Sequence, residues 1–145
     1  DHGPDEAAQR WAAQAGLSDG VHFLGQLPRD RAMEELAGAV ALVHPSLEES
    51  FGLVLVEAMA RRVPVIAGRA SGAVPWVCRD GAAGSLVDVT SPAALAGAMS
   101  AVLAGDDAVR QQVEAGYDHA RREFTLDRVA AGYEEVYERA RGGRR

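Results

Sequence analysis

The sequence predicts an α/β domain built on a doubly wound parallel sheet, and two observations carry that prediction. Short apolar runs recur, VHFLG, VALVHP, VPVIAG and GSLVDV, without the polar alternation of a half-solvated strand, as parallel strands buried on both faces require. Between them lie segments of helical period joined by short connections, the pattern of strand, crossover helix and parallel strand. Length and composition agree with one domain: 145 residues, 48% hydrophobic and 25% charged, enough to bury a core.

The elements follow in order. Pro4 suits a first helical position, and Ala8, Trp11, Ala12 and Ala15 recur at helical spacing up to Gly16, which predicts a first helix. After a turn at Ser18-Asp19-Gly20, Val21 to Gly25 reads as a buried parallel strand. A second helix fits Pro28 to Ala39 with Met33 and Leu36 inward, followed by a strand over Val40 to Pro45. The stretch His44 to Pro64, HPSLEESFGLVLVEAMARRVP, then reads as strand end, loop, helix and stop. Ser50 is the expected N-cap of a helix over Phe51 to Arg62, with Pro64 beyond its end. Leu53, Val54, Leu55, Val56, Ala58, Met59 and Ala60 cover most of its circumference, so it is expected to be buried on nearly all sides.

Val63 to Gly68 is the next strand, and the loop Gly68 to Val77, GRASGAVPWV, follows it. Its two glycines and serine would let a backbone approach a sugar or phosphate closely, but a plain turn between strand and helix is the preferred reading. Trp76 is expected to pack in a core or interface. Gly84 to Val89 forms a last short strand, and Ser91-Pro92 opens a helix through Leu103 that Gly105 ends. Val109, Val113, Tyr117 and Ala120 mark one further helix. Leu126, Val129, Tyr133, Val136 and Tyr137 mark another, capped by Thr125. The sequence shows no internal repeat and no low-complexity linker.

Charge and motif content narrow the function. A net charge of -6 argues against a general nucleic-acid binder. The basic end, ARGGRR, reads first as a frayed tail and second as a peripheral contact with an anionic membrane. All 15 basic residues are arginine. The single cysteine, Cys78, excludes an internal disulfide and leaves the cytosol as the default compartment. No apolar stretch is long enough to span a membrane, and the polar, acidic N-terminus does not read as a secretory leader. His2, His22, His44 and His119 lack zinc-ligand spacing with one another or with Cys78, so no metal site is expected. Walker A, G-x-G-x-x-G and G-x-S-x-G patterns are absent from the sequence. His22 and His44 default to structural, hydrogen-bonded roles, with His44 the better site candidate because it ends a strand.

Ligands of parallel sheets bind outside the carboxyl ends of the strands. Those ends are Gly25-Gln26-Leu27, Pro45 to Gly52 and Gly68 to Gly72, and they should converge on one crevice. Glu57 is placed in an apolar helix and so needs a partner. That partner is either Arg61, four residues on, or a ligand. Gly52 lacks a side chain, so an anionic group could approach the free amides at the helix start. Glu57 lies roughly 10 Å along the axis from Ser50, about the length of a nucleoside diphosphate. Its phosphates would sit at the amides and its ribose at Glu57, with Glu49 facing whatever the phosphate carries. A loop carboxylate and one two turns into a helix make a poor glycosidase pair, which must flank one bond.

Glu49 and Glu57 enclose seven residues as E-SFGLVLV-E. With Gly3-Pro4, VHFLG, HPS before the signature and DGAAGSLVDVTSPAALAGAM after it, the chain resembles the retaining glycosyltransferases of the group 1 family over almost its whole length. The resemblance implies a C-terminal, donor-binding half of an enzyme with two Rossmann-like domains. It also implies a sheet incomplete at its N-terminal side, because two strands precede helix one in that family.

Carried over residue by residue, Glu49 is the catalytic-site glutamate that contacts the donor sugar, and Glu57 holds the ribose. Amides around Ser50, Phe51, Gly52 and Leu53 steady charge on the leaving phosphate. The backbone at Gly25, Gln26 and Leu27 contacts the base. The diphosphate leaves while the acceptor attacks from the same face, so configuration is retained. The donor is a UDP-, GDP- or ADP-sugar, with no further cofactor. The family's phosphate-gripping arginine and lysine would precede Gly3-Pro4, and its acceptor domain would lie further upstream, so this chain is expected to be inactive alone. Its exposed sheet edge invites self-association, and its expected location is the cytoplasm, extending to the inner face of the membrane. Ser71-Gly72 and Pro75-Trp76 stand where the family usually has Gly-Gly and Pro-Glu, which leaves sugar specificity open. The alternatives are a nucleotide-sugar epimerase of the same build and a non-catalytic doubly wound module in which Glu57 merely pairs with Arg61.

Overall fold

A computed structural model describes residues 6–142. The expected helix start at Gly3-Pro4 and the last three residues of the basic end lie outside the described residues. The chain divides into two compact units between Glu35 and Leu36.

In the first unit α1 spans Glu6–Gln14. Ala12 is buried, whereas Trp11 is 64% exposed, so the inward stripe is narrower than the apolar spacing suggests. Gly16, at φ 69, ends the helix, and the Leu17 amide donates to Ala12 O at 2.8 Å, which satisfies a carbonyl orphaned by the helix end. Val21 to Gly25 does not form the expected strand. Val21, Phe23 and Leu24 are exposed, and no ladder reaches them among the described residues. An apolar run signals burial but cannot supply the neighbouring strand that a ladder needs. The helix α2, Arg29–Ala37, opens where Pro28 predicts, with the Ala32 amide on Pro28 O at 3.0 Å, and runs across the division.

The second unit holds a small parallel sheet of Rossmann-like α/β type, β1 (Leu42–His44), β2 (Val65–Gly68) and β3 (Ser85–Val87), in the order β1-β2-β3. Leu42 pairs with Val65 and His44 with Ala67; Ile66 pairs with Ser85 and Gly68 with Val87. The central strand, β2, is buried throughout. The strands are connected by α3 (Leu53–Met59) and by α4 (Val74–Val77) with a 3-10 turn at Arg79–Gly81. Beyond them lie α5 (Pro92–Leu103), α6 (Asp107–Glu123) and α7 (Leu126–Gly142).

The signature helix is shorter than expected. Gly52 in the left-handed region, φ 86, is the N-cap residue of α3 and makes no side-chain cap bond, so Ser50 is not the cap. The turn at Gly52 delays the helix by two residues, and only glycine reaches that conformation readily. At the other end Arg62 sits at φ 56. The Arg62 amide donates to Met59 O and the Val63 amide to Ala58 O, both at 3.0 Å, a closing pattern that usually employs glycine. Arg62 is held there by Glu114 at 3.0 Å and by the Tyr117 ring 3.5 Å from its guanidinium. Leu55, Val56, Ala58 and Met59 are buried, but Leu53 is exposed and Glu57 half-buried. The helix therefore buries one face, not nearly all of its surface. On α6, Gly116 is packed so tightly that an added Cβ would meet Ala83 O at 3.0 Å and Met59 Cγ at 3.1 Å.

The caps of the later helices stand where the sequence places them. Ser91 Oγ accepts from the Ala94 amide at 3.3 Å, and Thr125 Oγ1 accepts from the Arg128 amide at 3.3 Å. The apolar residues of α7 are nonetheless exposed, Leu126 at 88%; helical period marks a face that can be covered, not what covers it. Burial pushes the Cys78 thiol up to about 11, so it is a core residue without thiolate character. No helix among the described residues is long and apolar enough to cross a membrane.

Candidate functional site

The carboxyl ends of β1 and β2 bring two loops side by side. His44 ends β1 and Gly68 ends β2. Between the loops stands Ser71, the buried polar residue of this region, whose Oγ donates to Ser46 O at 2.5 Å. A Cβ on Gly68 would lie 1.8 Å from that Oγ, so the strand can end there only as glycine. Just after Ser71, Gly72 adopts φ 55, and a Cβ there would lie 2.3 Å from Glu49 O. The same oxygen accepts from the Ala73 amide at 3.0 Å. The loop GRASG, read from sequence as a plain turn, thus holds the neighbouring loop at two points: Ser71 bonds Ser46 O, and Gly72 lets the Ala73 amide reach Glu49 O.

The Glu49 side chain is fixed as well. His44 Nε2 lies 3.1 Å from Oε2, and the Phe51 amide donates to Oε1 at 3.2 Å. The Phe51 amide, together with His44, holds the Glu49 carboxyl below its ordinary value of 4.5. Glu49 is therefore an ionised, acceptor-only group at neutral pH, and His44 is the donor of their hydrogen bond. Sequence reasoning marked His44 as bordering the crevice but did not pair it with Glu49; the available signal was its place at a strand end, five residues before the glutamate.

The remaining candidates fall into three places. Ser50 and Phe51 are exposed, Gly52 is buried, and Leu53 starts α3 in the open. One of the amides expected to meet a phosphate, that of Phe51, already serves Glu49. Glu57 lies half-buried on α3, and Arg61 Nη1 donates to its main-chain carbonyl at 2.9 Å. Gly25, Gln26 and Leu27 belong to the first unit, with Gly25 at φ 63 and Leu27 half-buried.

An open cavity of about 560 Å³ is lined by Leu47, Glu48, Glu49, Ser50, Ala70 and Gly72. It adjoins one of about 140 Å³, sharing Leu47 and Ala70 and adding Arg69, Asp88 and Thr90. Thr90 donates to Asp88 Oδ1 from its hydroxyl at 2.6 Å and its amide at 3.0 Å. These bonds, with Arg69 beside it, hold the Asp88 carboxyl below its usual range. A larger hollow of about 900 Å³ lies between α4, α6 and α7, lined in part by Trp76, Arg79, His119, Phe124 and Arg128. Trp76 is 64% exposed, so it is not a core residue, although it packs on Phe51 and Phe124. No group of three or more metal-ligating side chains is assembled among the described residues.

The family model described as glycosyl transferases group 1 matches residues 2–119. A D-inositol 3-phosphate glycosyltransferase of Mycolicibacterium vanbaalenii is 42% identical over 125 residues, covering 84% of this chain and 27% of that protein. One from Acidothermus cellulolyticus is 39% identical over 141 residues, 97% of this chain and 31% of that protein. The chain thus spans less than a third of the length of these curated relatives. Among solved structures, sucrose-phosphate synthase from Thermosynechococcus elongatus superposes with a TM-score of 0.81 at 28% identity, covering 94% of this chain and 34% of that one. The C-terminal domain of a group 1 family protein from Francisella tularensis gives a TM-score of 0.70 at 26% identity, covering 84% and 63%.

Proposed function

The chain belongs to the glycosyl transferases group 1 family, and from that premise we propose that it forms the donor side of a retaining sugar transfer from a nucleoside diphosphate. The observation that carries this reading is Glu49, an ionised carboxylate held through both oxygens and its own carbonyl at the mouth of an open cleft. An acceptor-only group fixed in this way suits the hydroxyls of a sugar, which donate, and its rigidity lets it serve without reorganisation.

In this reading Glu57, on α3, receives the ribose hydroxyls; Gly25, Gln26 and Leu27, in the first unit, are the candidates for the base. The amides of Ser50, Gly52 and Leu53 meet the diphosphate and steady the charge that grows as it leaves. The Phe51 amide is removed from that set, because it is bonded to Glu49, and the Gly52 amide leans more weakly on the same carboxylate. The donor is a UDP-, GDP- or ADP-sugar. The relatives' name, D-inositol 3-phosphate glycosyltransferase, makes a phosphorylated cyclitol the first acceptor to assay.

Two substitutions test the division of labour by calorimetric titration. Glu57→Gln is expected to weaken free nucleotide and nucleotide-sugar alike. Glu49→Gln should spare the nucleotide and weaken only the nucleotide-sugar, by roughly tenfold or more, the scale of a hydrogen bond to a charged group. Equal affinities for wild type and both variants would refute the assignment.

A further inference from the structure

Phe51 links the site to a part of the fold outside it. Its amide donates to Glu49 Oε1, while its ring lies against Phe124 with centroids 5.6 Å apart and planes at 85°. Phe124 is the C-cap residue of α6, its own amide held by Ala120 O at 3.2 Å. Its ring also meets Trp76 edge-on at 5.9 Å and His119 at 4.9 Å and 78°. The contacts fall within the separations and edge-to-face arrangements that aromatic pairs favour. His119 is held by a hydrogen bond to the Val77 backbone, and its buried Nε2 has no hydrogen-bond partner among the described residues. Phe51 and Trp76 remain exposed at 37% and 64%, so the cluster excludes little water. Its effect is orientation more than burial.

We propose that Phe124 is a positioning residue, fixing the Phe51 ring so that the Phe51 amide stays on Glu49 Oε1 and the carboxylate keeps its other lone pairs turned to the donor. The path runs from the end of α6 through two rings and one amide to the site, between residues 73 positions apart. Its last step, toward a donor sugar, rests on the function proposed above; the steps before it do not. Removing the Phe124 ring leaves Phe51 against only the tilted Trp76 ring at 6.2 Å, which itself loses its contact with Phe124, and so populates loop states in which Glu49 is not presented. Apparent donor affinity then falls in proportion to the competent fraction.

The test compares wild type with Phe124→Ala, Phe124→Tyr and Val109→Ala. Val109 is a buried residue on the same helix, about 22 Å from Phe124 along the axis, so it reports general destabilisation. Two readouts are taken: the carbon-detected titration of the Glu49 carboxyl in the free chain, and the affinity for UDP-glucose as probe. Phe124→Ala should move the Glu49 midpoint up toward 4.5 and weaken UDP-glucose by roughly tenfold, given the strength of such ring pairs. Phe124→Tyr, which keeps the ring, should restore both, and Val109→Ala should change neither. An unmoved Glu49 titration in Phe124→Ala, or an equal shift in Val109→Ala, would overturn the proposal. A wild-type chain that binds no UDP-glucose would count against the donor reading, while the Glu49 titration would still decide the positioning role.

Discussion

Gly72→Ala is the sharpest perturbation of the scaffold under Glu49. The backbone there has φ 55, and the added methyl would stand 2.3 Å from Glu49 O and 3.2 Å from Glu49 C and N. Left-handed backbone costs an ordinary residue about 1–2 kcal/mol. The clash is with main chain, which cannot rotate away, so the loops must part and the Ala73 amide bond to Glu49 is lost, at about 1 kcal/mol. The expected total is about 2–3 kcal/mol, or a melting temperature lower by about 5–10 °C in a chain of this size.

Two other glycines separate the terms. Gly81 has φ 98 with nothing within 4 Å of a Cβ, and Gly132, inside α7, also has open space. Gly81→Ala should cost only the backbone term, about 1–2 kcal/mol. Gly132→Ala should gain up to about 1 kcal/mol from helix propensity. Thermal melts of the three variants, with the Glu49 carboxyl titrated in each, check the reasoning. A Gly72→Ala protein no less stable than Gly81→Ala, with Glu49 titrating as in wild type, would refute the clamp.

Three further outcomes follow from groups outside that clamp. His44→Phe removes a donor from Glu49, so the carboxyl should titrate closer to 4.5. Because its folded value is depressed, Glu49 adds stability above the unfolded value that is lost as pH falls through the folded one, and acid unfolding curves should show that contribution shrink. Burial, with Arg79 nearby, lowers the His119 value below 6.5. The unfolded chain therefore takes up that proton first, and stability, full above pH 6.5, should fall as pH drops beneath it; His119→Leu should flatten that slope in urea titrations at pH 5 to 7. Ser91→Ala removes the cap bond to the Ala94 amide and should cost about 1 kcal/mol by chemical denaturation.

What the sequence made legible was local. The caps at Ser91 and Thr125 and the strands β1, β2 and β3 stand where pattern and capping chemistry put them, because each is decided by neighbours along the chain. The E-x7-E spacing singles out Glu49 and Glu57 from the chain alone, and the structure sets Glu49 beside an open cleft and Glu57 half-buried on α3. Failures arise wherever a distant segment decides. Val21 to Gly25 reads as a strand but has no ladder among the described residues, since a strand depends on its partner. Ser50 has cap chemistry, yet Gly52 takes the cap position because its left-handed turn sets where α3 begins. The grip of Gly72 on Glu49 and the ring of Phe124 on Phe51 are contacts across 23 and 73 positions, and no periodicity records them. The exposed face of α7 is the converse case, a correct helix whose covering surface the pattern cannot identify.

The proposed donor mode sets a nucleoside diphosphate-sugar at the start of α3, its ribose on Glu57 and its transferable sugar on Glu49. An amide-resolved NMR titration of the chain with UDP, GDP and ADP tests it most directly. Shifts should concentrate at Ser50, Gly52, Leu53 and Glu57 and be stronger for one base than for the others, with shifts at Gln26 and Leu27 reporting the base contact. Still amides from Ser50 to Glu57 at millimolar nucleotide, or shifts centred instead on Trp76, His119 and Phe124, would contradict it.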